Sequence, residues 1–275
     1  MPDALGTLMR RIAPSALLAL TFFGGVALAD GDPLGPRGDR RASIAVRKDR
    51  HGRPFHRGRA DRRVSRDALQ LAGATAARAS TTATPLTSGI TLEAWVRWDS
   101  GTGVQAVMYN GNSATSGYGL FLENGRVKIL AGGVDWAPCS TCKVVQGEWT
   151  HLAAVRTDKA WFVYQNGAPQ ALDNATLAAH VPSGQFSIAS VPAGGERLIG
   201  AIDEVRVWSV ARSPREIEDD YALSLAGDEP GLLHYYRIDE REGSVLHDVR
   251  GTLPVTLLGE PAWVTSGPPL ATARR

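Results

Sequence analysis

Residues 200–221 read GAIDEVRVWSVARSPREIEDDY and begin with an apolar run that contains two adjacent acids, Asp203 and Glu204. Side chains alternate between the two faces of a regular strand. Asp203 is therefore expected on the same face as Val205, and Glu204 on the opposite face beside Arg206. This alternation predicts that the two acids do not share a cleft and that Glu204 is paired with a cation.

The second half of the same stretch predicts a short helix. Ser213 is a suitable cap, Pro214 suits the first helical position, and Glu216 completes a capping box. Asp219 and Asp220 are then expected on the solvated face. This is the one helix that the sequence predicts.

The rest of the chain after residue 66 is a series of short apolar runs separated by turn signals. Asn124-Gly125 and Asn166-Gly167 predict tight hairpins, because both residue types tolerate positive φ. The spacing predicts an all-β fold, a two-sheet antiparallel sandwich with one short helix in its C-terminal half. Several histidines and tryptophans fall inside predicted strands and are assigned to the core: His151, His234, Trp95, Trp149, Trp161 and Trp208.

The first 66 residues have a different composition. Residues 1–29 contain a short apolar run that ends in Ala27-Leu28-Ala29, the pattern of a cleaved signal peptide rather than of a membrane anchor, which needs about 20 apolar residues. Residues 30–66 hold 12 Lys/Arg against 5 Asp/Glu, a net charge of +7, and lack any periodic apolar pattern. We expect a disordered Arg-rich linker there and, after cleavage, no membrane span.

This basic arm has two interpretations. It is either a solvated spacer or a segment that binds phosphates, anionic lipids or acidic polysaccharide. Nucleic acid is not expected, because Phe55 is the one aromatic residue of the arm and the signal peptide predicts a secreted, periplasmic or cell-surface protein.

Cys139 and Cys142 are the two cysteines of the chain and lie in the segment APCSTC. A zinc site usually needs two such pairs, and a redox motif needs a following helix. In an oxidising compartment the single pair predicts a small disulfide loop.

Five segments, in this order, resemble the signature segments of laminin-G-like jelly-roll domains of the concanavalin A-like lectin/glucanase superfamily. The resemblance covers residues 67–265 and leaves 266–275 as a tail. It implies two curved sheets with loops at the rims, and a binding or adhesion role. The segments are ITLEAWVRW, GYGLFLENGRVKI, GEWTHLAAVRTDKAWFVYQNG, ERLIGAIDEVRVWSVARSPREIEDDY and GLLHYYRIDEREGSVLHDVRG.

The resemblance also bears on calcium. Members that bind calcium tend to use acidic or amide oxygens near the first strand, where this chain has Ala72 and Ala76. Calcium needs six to eight oxygen ligands. We therefore expect no required cofactor; the alternative is a structural calcium ion, for which Asp203 is the one candidate ligand.

The same resemblance raises the question of catalysis. A glycosidase needs two carboxylates across a cleft, and adjacent acids on opposite faces do not supply them. The sequence therefore predicts a non-catalytic module that recognises a glycan or an extracellular surface protein. The alternatives are a polysaccharide hydrolase with acids from separate strands and a protein–protein adhesion module.

Two loops supply the candidate binding residues. One is the segment beside the predicted disulfide, with an exposed aromatic ring at Trp136 and an acid at Asp135. The other is the polar, glycine-rich segment 110–119, with Asn110, Asn112 and Tyr118.

Overall fold

The computed structural model describes residues 65–72, 76–82 and 84–272. The predicted signal peptide, residues 1–29, lies outside the described residues. So does the predicted linker, residues 30–66, except for Ser65 and Arg66.

Short strands make up about half of the described chain. In chain order the elements are β1 (Ala68–Ala72), β2 (Ala76–Thr82), β3 (Ile90–Trp98), β4 (Val104–Asn112), β5 (Ser116–Glu123), β6 (Arg126–Ala131), β7 (Asp135–Lys143), β8 (Trp149–Arg156), β9 (Trp161–Gln165), β10 (Ala168–Gln170), β11 (Gln185–Ile188), β12 (Ile199–Trp208), α1 (Pro214–Asp220), β13 (Leu223–Ser224), β14 (Leu232–Tyr236), β15 (Val245–Leu246), β16 (Val255–Leu258), β17 (Ala262–Val264) and β18 (Ala271–Thr272).

Two large sheets contain all but two of these strands. The first sheet has the order β10-β9-β8-β3-β12-β1-β17, and β14 pairs with β12 beyond the end of β1. The second has the order β15-β16-β2-β11-β4-β5-β6-β7. Neighbouring strands in both sheets are antiparallel, and β13 and β18 form a separate parallel pair. The predicted all-β, two-sheet antiparallel sandwich is confirmed.

The core lies between the two sheets and follows the alternation of the strands. In β3, Ile90, Leu92, Ala94 and Val96 point inward and are buried in the main apolar cluster. Burial of such side chains stabilises the fold by about 1.5–3 kcal/mol each. The other face of β3 is outward, yet the chain that follows β12 covers it.

The predicted turns and helix are confirmed. Asn124 and Gly125 have φ values of 51° and 76°, which suit the hairpin between β5 and β6. Helix α1 begins after the cap Ser213 with both hydrogen bonds of the capping box to Glu216. Asp219 is exposed as expected, but Asp220 accepts a hydrogen bond from Arg212 instead of lying free on the solvated face.

The prediction that Asp203 and Glu204 face opposite sides of the sheet is wrong. Asp203 lies opposite Trp95 and Arg206 lies opposite Glu93, so three steps along β12 correspond to two along β3. The extra residue is a β-bulge, in which Glu204 has a φ of 51°. Both acids therefore lie on the outer face of the first sheet.

The predicted pairing of Glu204 with Arg206 is confirmed. Arg206 Nη2 donates to Glu204 Oε2 at 2.5 Å, and the hydroxyl of Tyr235 donates to the same oxygen at 2.6 Å. All three side chains are buried. The bulge thus turns Glu204 into a partner for groups on the outer face of the sheet.

Next to this pair, Glu93 is the centre of a buried ionic cluster. Its carboxylate oxygens lie 3.1 Å from Arg212 Nη1, 3.5 Å from Arg206 Nη1 and 3.4 Å from His151 Nε2. Although burial alone would raise the pKa of Glu93, the contact with His151 and the charges of the two arginines hold it at about 2. Burial lowers the pKa of His151, which lies inside the protein as predicted.

We predict that Glu93→Gln lowers the free energy of unfolding by about 3–5 kcal/mol at pH 7, because it leaves two buried arginines without their shared anion. The folded pKa of Glu93, about 2, lies below its usual value of 4.5, so this stabilisation is present above pH 4.5 and is lost as the pH falls towards 2. Urea denaturation of the parent and the variant across this pH range measures both effects.

The exposed Glu218→Gln on α1 is the matched control. It is expected to stay within about 0.5 kcal/mol of the parent. An equal loss in both variants would contradict the assigned role of Glu93.

Candidate functional site

Segment 110–119 is not the loop that its composition suggests. β4 continues to Asn112 and β5 begins at Ser116, so only residues 113–115 connect the two strands. The prediction of a polar, glycine-rich loop over residues 110–119 is wrong, because glycines such as Gly117 and Gly119 lie within a paired hairpin.

Asn110 and Tyr118 lie inside this hairpin and are buried. Asn110 Nδ2 donates to the carbonyl of Thr84 and to the hydroxyl of Tyr118, both at 2.9 Å. Its Oδ1 accepts from the amide of Thr84 at 3.0 Å. These bonds hold the segment before β3 against the second sheet, and burial leaves neither side chain a surface with which to contact a glycan. Asn112 is exposed, and its Oδ1 accepts from the amide of Ala114.

Asp135 and Trp136 also lie in a strand, β7, and not in the loop that the sequence predicts. Asp135 is exposed and its Oδ1 accepts the amide of Trp136 at 2.8 Å. Trp136 is half-buried on the outer face of the second sheet, where its ring packs edge-on against Phe121 with centroids 5.1 Å apart. The ring is therefore fixed in place, and part of it is accessible at the sheet surface.

Lys128 places a positive charge against the Trp136 ring. Its Nζ lies 3.9 Å from the centre of the Trp136 ring and 2.9 Å from Glu123 Oε2. Such cation–π contacts contribute about 0.5–2 kcal/mol, depending on desolvation. Lys128 is buried by these contacts, whereas Glu123 is partly exposed.

A second carboxylate approaches from the segment between β11 and β12. The carbonyl of Glu196 accepts the amide of Ala106 at 2.6 Å, which ties this segment to β4. Partial burial raises the pKa of the Glu196 side chain, and the nearby charge of Lys128 opposes the rise. Glu123 and Glu196 therefore both interact electrostatically with the same lysine.

The side chains around Trp136 meet because of strand alternation and because Gly119 has no side chain. Tyr109, Phe121 and Lys128 lie on β4, β5 and β6 and point away from the core. A Cβ at Gly119 would lie 2.4 Å from the Tyr109 ring, so this position must lack a side chain for the ring to pack there. We call the resulting surface the Trp136 face; it consists of Glu123, Lys128, Trp136 and Glu196, and it lies over the buried rings of Tyr109 and Phe121.

The family model of the Concanavalin A-like lectin/glucanases superfamily matches residues 71–218, more than half of the chain. The chain belongs to this superfamily. The laminin-G-like resemblance of the sequence is thereby confirmed, while no curated protein matches the chain significantly.

Solved structures similar to this superfamily member include three examples, of which the first supports the fold. A "putative carbohydrate binding protein" from Bacteroides ovatus is 21% identical, with a TM-score of 0.62 over 76% of this chain; the match spans 62% of that protein's length. Domain 4 of an extracellular GH43 arabinanase from Geobacillus stearothermophilus is 21% identical over 55% of this chain and 75% of its own, with a TM-score of 0.44. A pentraxin from Limulus polyphemus is 16% identical over 57% and 82%, with a TM-score of 0.43.

The disulfide of this superfamily member is confirmed. Cys139 and Cys142 are bonded, with Cα atoms 5.3 Å apart, and both are buried. Between the register pairs Lys128–Pro138 and Arg126–Lys143, two steps along β6 correspond to five along β7. The disulfide closes this excursion of the strand that carries Trp136.

We predict that the chain contains no free thiol when it is purified without reductant. A thiol reagent in denaturant should label neither cysteine, and should label both after reduction. Denaturant is needed because burial alone would protect a free thiol. Labelling before reduction would contradict the disulfide.

Asp203, the candidate metal ligand, is buried and its Oδ1 accepts the amide of Glu204 at 2.8 Å. Burial, reinforced by the charge of Glu204, raises the pKa of Asp203 well above its usual range. Within residues 65–72, 76–82 and 84–272, no cluster of three or more His, Cys, Asp or Glu residues is placed to hold a metal ion. A metal at Asp203 would therefore need most of its ligands from backbone oxygens or water.

We predict that Asp203→Asn raises the free energy of unfolding by about 1 kcal/mol at pH 7. The amide oxygen can still accept the Glu204 amide, while the cost of a buried negative charge disappears. Because the folded pKa of Asp203 is raised, its carboxylate destabilises the fold as the pH rises above the usual value of 3.8, so the gain should vanish in acid. Thermal denaturation at pH 3 and pH 7 measures this, and a loss of stability at pH 7 would show that the charge has a stabilising partner.

Sequence reasoning found Trp136 and Asp135 but missed Glu123, Lys128 and Glu196. One signal was present: a lysine inside the apolar run RVKIL requires a partner on the outer face of its strand.

Proposed function

We propose that the chain is an exported, non-catalytic carbohydrate-binding module and that the Trp136 face contacts the sugar. The observation that carries this proposal is the Trp136 ring, which is half-buried and fixed by contacts with Phe121 and Lys128. Sugar rings have apolar faces that pack on aromatic rings, while their hydroxyls need nearby charged or polar partners. Glu123 and Lys128 supply such partners within one surface.

Other findings are consistent with this proposal. The fold is shared with the Bacteroides ovatus protein described as a "putative carbohydrate binding protein". In the described part of the chain, no helix is long and apolar enough to cross a membrane. The signal-peptide pattern of residues 1–29 supports export to the periplasm, the cell surface or the medium.

We predict that Trp136→Ala weakens binding to the glycan that a glycan array identifies by at least tenfold, or about 1.4 kcal/mol. The array is probed with and without calcium, so that ligand class and metal dependence are read together. Isothermal titration with the best glycan then measures the loss.

Trp149→Ala is the matched control. Trp149 is also half-buried in a strand, β8, but belongs to the first sheet, where its Nε1 donates to the carbonyl of Ser266. It should keep the affinity of the parent. Equal losses in both variants, or none in Trp136→Ala, would contradict the proposed site.

The two carboxylates of the Trp136 face favour one alternative, a polysaccharide hydrolase. A raised pKa at Glu196 suits a general acid, and Glu123 comes from a separate strand. The same purified protein incubated with the array's polysaccharides tests this alternative. If reducing ends appear with the parent protein and not with Glu196→Gln, the protein is a hydrolase and the non-catalytic proposal is wrong.

A further inference from the structure

A cavity of about 660 Å³ opens beside the start of β1, on the edge of the first sheet and away from the Trp136 face. Its polar lining includes Arg66, Asp67, Arg241 and Thr265, and Leu270 contributes apolar surface. Ligand-binding pockets commonly have volumes of about 300–1,000 Å³, so this volume suits a small molecule or one unit of a polymer.

Arg241 is held in one orientation at this cavity. Its Nε donates to Asp67 Oδ2 at 2.7 Å, and the hydroxyl of Ser65 donates to the same oxygen at 2.5 Å. Although burial alone would raise the pKa of Asp67, these two bonds and the charge of Arg241 lower it, so Asp67 is a fixed anion. The Arg241 side chain is 70% exposed, and neither of its Nη nitrogens bonds to a residue in the described chain.

The backbone at Arg241 and just before it also adopts an uncommon, left-handed conformation. Arg241 has a φ of 66°, and the nearby Ile238 has a φ of 57°. The left-handed region is costly for residues with a side chain, above all a β-branched one, and such residues cluster at functional sites. Ile238 is buried in the main core, which holds this segment in place.

Arg66 adds a second cation to the cavity wall. Its carbonyl accepts the amide of Gly267 at 2.6 Å, so its backbone is anchored while its side chain is exposed. The cavity lining therefore includes two arginines and one carboxylate, Asp67, that is already bonded. Arg66 is also the last residue of the basic arm, residues 30–66, whose net charge of +7 attracts polyanions.

We propose that this cavity binds the carboxylate of a uronic acid unit of an acidic polysaccharide. The two Nη nitrogens of Arg241 match a carboxylate in a bidentate pair, a geometry that a lysine cannot provide. Arg66 adds positive charge, Thr265 a hydroxyl partner for the sugar, and Leu270 an apolar contact for its ring. This site goes beyond the proposed function and does not depend on the Trp136 face, because the two lie on different sheets.

The test is an NMR titration of the full chain with D-glucuronic acid, and with glucose as the neutral analogue. Glucuronic acid should shift the amide signals of Thr265 and Leu270, and glucose should leave them unchanged. Arg241→Gln should weaken binding at least tenfold, and Arg241→Lys should not restore it. Arg241 is largely exposed, and the buried Asp67 keeps its hydrogen bond from Ser65 in both variants, so we expect the fold to persist in each.

Arg215→Gln is the matched control, since Arg215 is 87% exposed on α1 and its loss changes the net charge equally. It should bind glucuronic acid as the parent does; an equal loss there would reduce the effect to general charge and overturn the proposal. Trp136→Ala should also bind normally, so that failure of one site leaves the other testable.

Glucose 6-sulfate and inorganic phosphate separate a uronate site from a general oxyanion site. We expect both to bind at least tenfold more weakly than glucuronic acid. Equal affinity for either anion, or equal shifts with glucose, would overturn the assignment to a uronic acid.

Discussion

The carboxylate of Glu93 is the constraint on which the first sheet depends. It is fully buried on the outer face of the sheet, where an isolated charge would cost several kcal/mol. Arg206 from β12 and Arg212 from the chain after it compensate this charge. Because Arg206 also bonds the carbonyls of Asp220 and Leu223, one carboxylate ties together two central strands and the chain on either side of the end of α1.

The outer faces of the two sheets are covered to different extents. The outer face of the first sheet is covered. Ile217 of α1 packs on it, against Ala153, Val155 and Tyr164, and Tyr221 stacks on Trp95.

The outer face of the second sheet is covered only in part, by the segment that carries Val191 and Glu196. The second sheet therefore keeps a partly accessible outer surface, where Trp136 lies, because the ionic cluster and α1 cover the equivalent surface of the first sheet alone.

Local signals in the sequence predicted the fold well, and non-local register explains what they missed. The Asn-Gly turns, the Ser213 cap and the short cysteine loop each depend on a few adjacent residues, and all are confirmed. The bulge at Glu204 depends on how β12 pairs with β3, which alternation within one strand cannot reveal. Likewise, Lys128 meets Glu123 and Trp136 only through the register of β5, β6 and β7, so most of the Trp136 face was beyond sequence reasoning.

The disulfide loop in β7 also affects whether copies of this protein can associate through their sheet edges. β7 is the last strand of its sheet, and a free strand edge is a template for pairing with another chain. Here the Pro138 carbonyl already accepts the amide of Asp173, and the Lys143 carbonyl accepts Gln165 Nε2. The cysteine loop between them interrupts what would be a regular ladder, so the protein can present an aromatic surface beside a sheet edge that resists edge-to-edge aggregation.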